Sequence, residues 1–144
     1  SNMTTGDPPI PSRPLPGMVY AVATEPLNRT VIITGGEENI VRSWDLDSGR
    51  NINGDKLMAH SGAVRAITTT KLHSSAIVII SASNDATLRV WDLGTSEPNG
   101  LPLLGHSRSV IAVATTQIDE RLAIISGSDD ETVRIWDLAV RTKS

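Results

Sequence analysis

A short pattern recurs three times along the chain, and this fixed period narrows its possible folds more than any other feature. The third copy is the fullest. It runs Gly105-His106-Ser107-Arg108-Ser109-Val110, then Ile124-Ile125-Ser126-Gly127-Ser128-Asp129-Asp130, then Thr132-Val133-Arg134-Ile135-Trp136-Asp137. The second has Ala59-His60-Ser61-Gly62-Ala63-Val64, Ile79-Ile80-Ser81-Ala82-Ser83-Asn84-Asp85 and Thr87-Leu88-Arg89-Val90-Trp91-Asp92. A weaker first copy keeps Val19-Tyr20-Ala21-Val22-Ala23-Thr24, Ile32-Ile33-Thr34-Gly35-Gly36 and Trp44-Asp45. The tryptophans stand 47 and 45 residues apart, and His60 and His106 are 46 apart. Units repeating at this period bury their apolar faces by stacking on one another.

Within each unit the apolar stretches are short and separated by Gly, Asn, Asp, Ser and Pro, which is the signature of an all-β repeat. The pattern predicts strands at Val19–Thr24, Val31–Thr34, Ile40–Trp44, Val64–Thr69, Ala76–Ser81, Thr87–Trp91, Val110–Thr115, Leu122–Ser126 and Thr132–Trp136. Weaker outer strands are expected near Asp55–Met58 and at Leu101–Leu104, the latter after a loop from Gly94 to Gly100. Ala76-Ile77-Val78-Ile79-Ile80 is apolar throughout, as a strand covered on both faces requires. Thr87-Leu88-Arg89-Val90-Trp91 alternates instead. Five prolines between Pro8 and Pro16 remove amide donors, so that stretch suits an arm or an edge strand. Ser1-Asn2 ahead of Met3 reads as the remnant of a cleaved tag.

At these residues, from about Leu15 to Leu138, the sequence closely resembles the WD-repeat β-propeller family, most of all its regular arrays of bacterial type. The resemblance implies an all-β propeller segment of three four-stranded antiparallel blades, completed to a closed ring by oligomerisation. The expected division is an arm at 1–16 that serves as outer strand of a neighbouring blade, then blades at 17–58, 59–104 and 105–144, the last without an outer strand of its own. Two copies would supply six blades and three would supply nine. A homodimer is therefore expected over a homotrimer, since closed rings typically carry about four to eight blades.

His, Ser and Asp recur together, which raises a Ser-His-Asp triad for acyl transfer. A catalytic site is needed once, whereas these residues occur in two repeats, and no Gly-x-Ser-x-Gly elbow presents a nucleophile. The resemblance implies a structural role instead: tetrads of His60, Ser81, Asp85 and Trp91, and of His106, Ser126, Asp130 and Trp136. In it the tryptophan indole donates, the aspartate accepts, and His and Ser complete the network. The first repeat has only Thr34, Glu38 and Trp44 at these positions, with Leu15 where the His would stand. The resemblance also implies a partner-binding face. It comprises Ser61, Gly62, Ser107 and Arg108, with Glu37, Asn84 and Asp129 opposite, and Tyr20, Arg65 and Ile111 just inside the first strands.

The remaining features exclude more than they assign. A net charge of −3 is not the basic field that nucleic-acid binding needs. There is no cysteine for a disulfide or a thiolate metal site, and no run approaches the roughly 18 apolar residues of a membrane span. A cytoplasmic location is expected. Glu37-Glu38 and Asp129-Asp130-Glu131 lack the spacing of a calcium loop, so no metal or cofactor is expected. Arg42, Arg89 and Arg134 repeat two residues before each tryptophan, at outward strand positions where the stem covers apolar surface. His73 falls in a turn. The expected function is a non-catalytic scaffold that binds a protein or peptide. The alternatives are a propeller hydrolase or lyase, or a propeller lectin, with a site near the axis. A lectin would favour repeated exposed aromatics, and only Tyr20 stands outside the tryptophan positions.

Overall fold

A computed structural model describes residues 19–26, 30–52, 60–72 and 74–138. Among the described residues, ten strands make three antiparallel sheets. The first sheet joins β1 (Val19–Pro26), β2 (Thr30–Gly36) and β3 (Val41–Asp45) in that order. The second joins β4 (Val64–Lys71), β5 (Ile77–Ser83), β6 (Leu88–Asp92) and the short β7 (Glu97–Pro98). The third joins β8 (Val110–Ile118), β9 (Arg121–Ser128) and β10 (Val133–Asp137). Every described pairing joins neighbours in sequence, so each sheet is a simple meander.

Two apolar layers lie between the sheets. Val31, Ile33 and Val41 of the first sheet pack on Val64, Ile79 and Trp91 of the second. Val78, Ile80, Leu88 and Val90 of the second pack on Val110 and Ile124 of the third. Because β5 is covered from both sides, its even- and odd-numbered residues are buried alike, and all seven positions of the strand are inside. That is why Ile77–Ile80 carries no polar alternation.

The strands run longer than the composition of their turns suggests. β8 and β9 continue to Ile118 and from Arg121, joined by Asp119 and Glu120 with φ of 51° and 68°. Two successive left-handed residues make the tight hairpin turn whose twist matches the strands. The outer strand of the second sheet also differs from expectation. It starts at Glu97–Pro98, opposite Trp91 and Asp92, leaves the ladder, and returns at Leu103, which exchanges two backbone hydrogen bonds with Leu88 (2.8 and 3.3 Å). Gly100 is left-handed (φ 83°) and Pro102 has no amide to donate, so a continuous Leu101–Leu104 strand does not form. In the first sheet the fourth position is a single bridge between Trp44 and Asn51, and Asp55–Met58 lies outside the described residues. So does the stretch from Ser1 to Met18, with Leu15 in it. Only the middle sheet has a named fourth strand among the described residues.

Candidate functional site: buried hydrogen-bond chains under a loop face

Two strands and two turns bring the second copy's polar residues to one line. β5 delivers Ser81, β6 delivers Trp91, and the turns flanking β4 and β6 deliver His60 and Asp85. The Trp91 indole N–H donates to Ser81 Oγ at 3.0 Å, Ser81 Oγ lies 2.7 Å from His60 Nε2, and His60 Nδ1 lies 2.9 Å from Asp85 Oδ2. A carboxylate only accepts, so Nδ1 must carry the proton and donate. Nε2 is then the acceptor for the one proton of the Ser81 hydroxyl, which still accepts from the indole. Each member thus has its partners, and the chain runs Trp, Ser, His, Asp. The tryptophan therefore donates to the serine, and the aspartate receives the histidine instead.

The third copy repeats this geometry to within 0.1 Å. Trp136 donates to Ser126 at 2.9 Å, Ser126 lies 2.8 Å from His106, and His106 lies 2.9 Å from Asp130. Asp85 also accepts from the amides of Ser61 and Thr87 and from the Thr87 hydroxyl, and Asp130 does the same with Ser107 and Thr132. Partial burial pushes the Asp85 carboxyl up, but the bonds from His60, Thr87 and Ser61 together hold it well below the usual carboxylate range. At Asp130 the Thr132 hydroxyl has the largest influence, and its carboxyl is likewise held low.

The first copy is different. Trp44 donates to Thr34 Oγ1 at 2.8 Å, but Glu38 does not extend that bond into a chain. Its exposed carboxylate accepts instead from Arg42 at 2.7 Å, four residues on. The residue that would stand in place of the histidine lies outside the described residues. Arg134, at the corresponding place in the third sheet, is exposed and lies against Gly105. His73 lies outside the described residues. Among the described residues no three His, Asp or Glu converge as metal ligands.

Above the buried chains, the loops before the first strands meet those after the second. The Asn84 amide donates to Ala63 O, and the Asp129 amide to Ser109 O, both at 2.9 Å. Glu37, Arg65, Asn84, Ser107, Arg108, Ile111 and Asp129 are all exposed there. Arg65 donates to Asn84 Oδ1 at 3.4 Å. One regularity escapes a reading of composition. In all three sheets the register slips at the same place: between Val19 and Ala21, Val64 and Ala66, and Val110 and Ala112. The extra residue is Tyr20, Arg65 or Ile111. The faint sequence signal is that these three differ in chemistry between two small or branched apolar neighbours that hardly vary.

Three stacked antiparallel meanders, two of them pinned by a Trp–Ser–His–Asp chain, define a segment of a WD-repeat propeller. The family model for "WD domain, G-beta repeat" matches residues 54–92 and 100–137, and the chain belongs to that family. Among curated proteins it is 32% identical over 86 residues to a protein transport protein sec13 of Aspergillus oryzae, covering 58% of this chain and 29% of that protein. It is 31% identical over 87 residues to WD repeat and SOCS box-containing protein 1 of Xenopus tropicalis, covering 60% of this chain and 20% of the relative. Small ribosomal subunit protein RACK1 of Candida albicans is 31% identical over 85 residues, covering 56% and 26%. The chain thus spans less than a third of the length of each of these relatives.

Proposed function

We propose that this chain is a non-catalytic scaffold that binds an extended protein or peptide segment across its loop face. The observation that carries the reading is the threefold bulge. A bulge inserts one unpaired residue, bends the strand and re-aims a side chain, and such residues cluster beside binding sites. Here the extra residues at the register slips are Tyr20, Arg65 and Ile111, of which Arg65 and Ile111 are exposed. Free of any duty in the buried chains, these positions can change with the partner. Ile111 is 42% exposed and offers an apolar anchor three residues after the exposed Arg108, while Arg65 offers a cation to an acidic side chain of the partner. Recognition commonly sits on such loops over a rigid scaffold.

The alternative of acyl transfer has the wrong burial. Ser81 and Ser126 are at most 1% exposed, each hydroxyl is held between an indole and an imidazole, and no substrate carbonyl can reach it. Support also comes from the relatives' names, since a small ribosomal subunit protein works as part of an assembly. The setting we propose is the cytoplasm, with no nucleic acid or membrane as partner. Among the described residues no helix is long and apolar enough to cross a membrane.

Panning a random-peptide phage library against the folded protein tests this reading. Selected peptides should lose about tenfold or more in affinity for Arg65→Glu or Ile111→Glu, as removal of a buried anchor costs upward of about 1 kcal/mol. The melting temperature should stay put. Peptides that bind both variants as well as the original protein would refute the face.

A further inference from the structure

The stack has two ends, and the two ends match. Each inner layer is built from the same register positions. The forward side uses Val78, Ile80, Ala82, Leu88 and Val90 in the second sheet, which the third sheet covers. Forty-five residues on, the forward side of the third sheet has Ala123, Ile125, Gly127, Val133 and Ile135. Leu88 is 0% exposed and Val90 1%, whereas Val133 is 70% exposed and Ile135 64%. Ala123 is buried and Ile125 and Gly127 are half-buried, so it is the β10 part of this face that lies open, with the exposed Ile118 near it.

The backward side repeats as faithfully. In the second sheet Val64, Ile79 and Trp91 form it, with Ile67 and Leu93 packed alongside. In the third it is Val110, Val113, Ile124, Trp136 and Leu138. The matching residues of the first repeat are Val19, Val22, Ile32, Trp44 and Leu46, apolar at all five positions. Ile32 and Leu46 are only half-buried, while Ile79 and Leu138 are fully buried. Val19-Tyr20-Ala21-Val22-Ala23 also repeats Val110-Ile111-Ala112-Val113-Ala114, the β8 stretch that lies on the second sheet's open side.

We infer that the forward face of the third sheet docks the backward face of the first sheet in a second copy of this chain. The two seams would repeat an interface that each chain already contains twice. Head-to-tail contacts close a ring when the rotation allows, and two copies bring six sheets, within the usual range, while three bring nine, outside it. Among the described residues no strand pairs with the outer edge of β10, and the arm of that copy suits this edge. With three residues fewer before the first strand than the ungapped alignment that sets Leu15 against the His, Pro14-Leu15-Pro16-Gly17 repeats Pro102-Leu103-Leu104-Gly105, whose Leu103 is buried and bonded to Leu88. Leu15 would meet Val133 in the same way, its prolines tolerated because an outermost strand pairs on one side only.

Gly127 supplies a selective test. A Cβ at Gly35, its counterpart, would lie 2.5 Å from Val64 Cγ1 of the next sheet, whereas at Gly127 the nearest atom would be Ala112 Cβ at 3.8 Å. Gly127→Leu therefore fits a single chain but blocks a sheet docking from outside. Light scattering at micromolar concentration should give twice the 15.4 kDa chain mass for the full protein. Gly127→Leu, or Val133→Asp at a residue already exposed in one chain, should halve that mass with the far-ultraviolet circular dichroism unchanged. Deleting residues 10–16 should weaken the dimer. A full protein with the mass of one chain or of three overturns the inference, as does a double mass that survives both substitutions. A single-chain mass would mean that the face serves another repeat or another protein.

Discussion

At the scale of single residues, the same two polar types behave oppositely according to what surrounds them. Asp85 is drawn into a chain of four side chains because His60 offers a proton inside the sheet stack. Glu38, at the matching position, turns outward to Arg42. Asp85→Ala would leave the His60 ring and the Ser61 and Thr87 amides short of an acceptor. At roughly 1–3 kcal/mol for each buried group left unsatisfied, a loss of about 2–4 kcal/mol is expected in denaturant melts. Glu38→Ala breaks one exposed pair and should change stability by about 0.5 kcal/mol or less. Acid should act through the same carboxylates. Asp85 and Asp130 stay ionised in the folded protein to lower pH than in the unfolded chain. The unfolded state therefore binds more protons below about pH 4, and stability present above that range falls as pH drops through it. Urea midpoints at pH 6 and pH 3 should differ less for Asp85→Asn than for the original protein.

At the scale of elements, the repeat made the strands legible, but their ends and their irregularities much less so. Trp91, Ser81 and His60 recur at fixed spacing, so the membership of the buried chain could be anticipated. Its order could not, because spacing does not say whether an indole reaches a carboxylate or a hydroxyl. The bulges at Tyr20, Arg65 and Ile111 were legible only as positions inside a strand, since one unpaired residue leaves the apolar pattern intact. The outer strand of the middle sheet shifted toward Glu97 because Pro102 and a left-handed Gly100 interrupt the ladder. The turns before β6 and β10 carry a cost of their own. Ala86 and Glu131 are left-handed, with φ of 73° and 72°, a conformation in which a Cβ is strained. Ala86→Gly or Glu131→Gly should relieve it and raise stability by about 0.5–1 kcal/mol, net of the entropy glycine adds to the unfolded chain. Thermal midpoints of the two variants check this, and a fall in both would mean the turns are not strained.

At the scale of the whole molecule, the buried chains and the loop face divide the labour. His60, Ser81 and their counterparts hold the sheets rigid, and a satisfied polar network of this kind fixes one arrangement of a core. On the proposed reading, Arg65 and Ile111, each the extra residue where its strand slips register, are where a partner would be met without disturbing what lies beneath. The central claim is that a peptide partner binds this face, and not the outer rim or the end of the stack assigned to the second copy. Amide chemical-shift mapping with a peptide selected by panning tests it most directly. The account predicts that the amides of Arg65, Asn84, Ser107, Arg108, Ile111 and Asp129 move together while those of Val133 and Ile135 stay still. Shifts confined to Val133, Ile135 and the Gly94–Gly100 loop would contradict it.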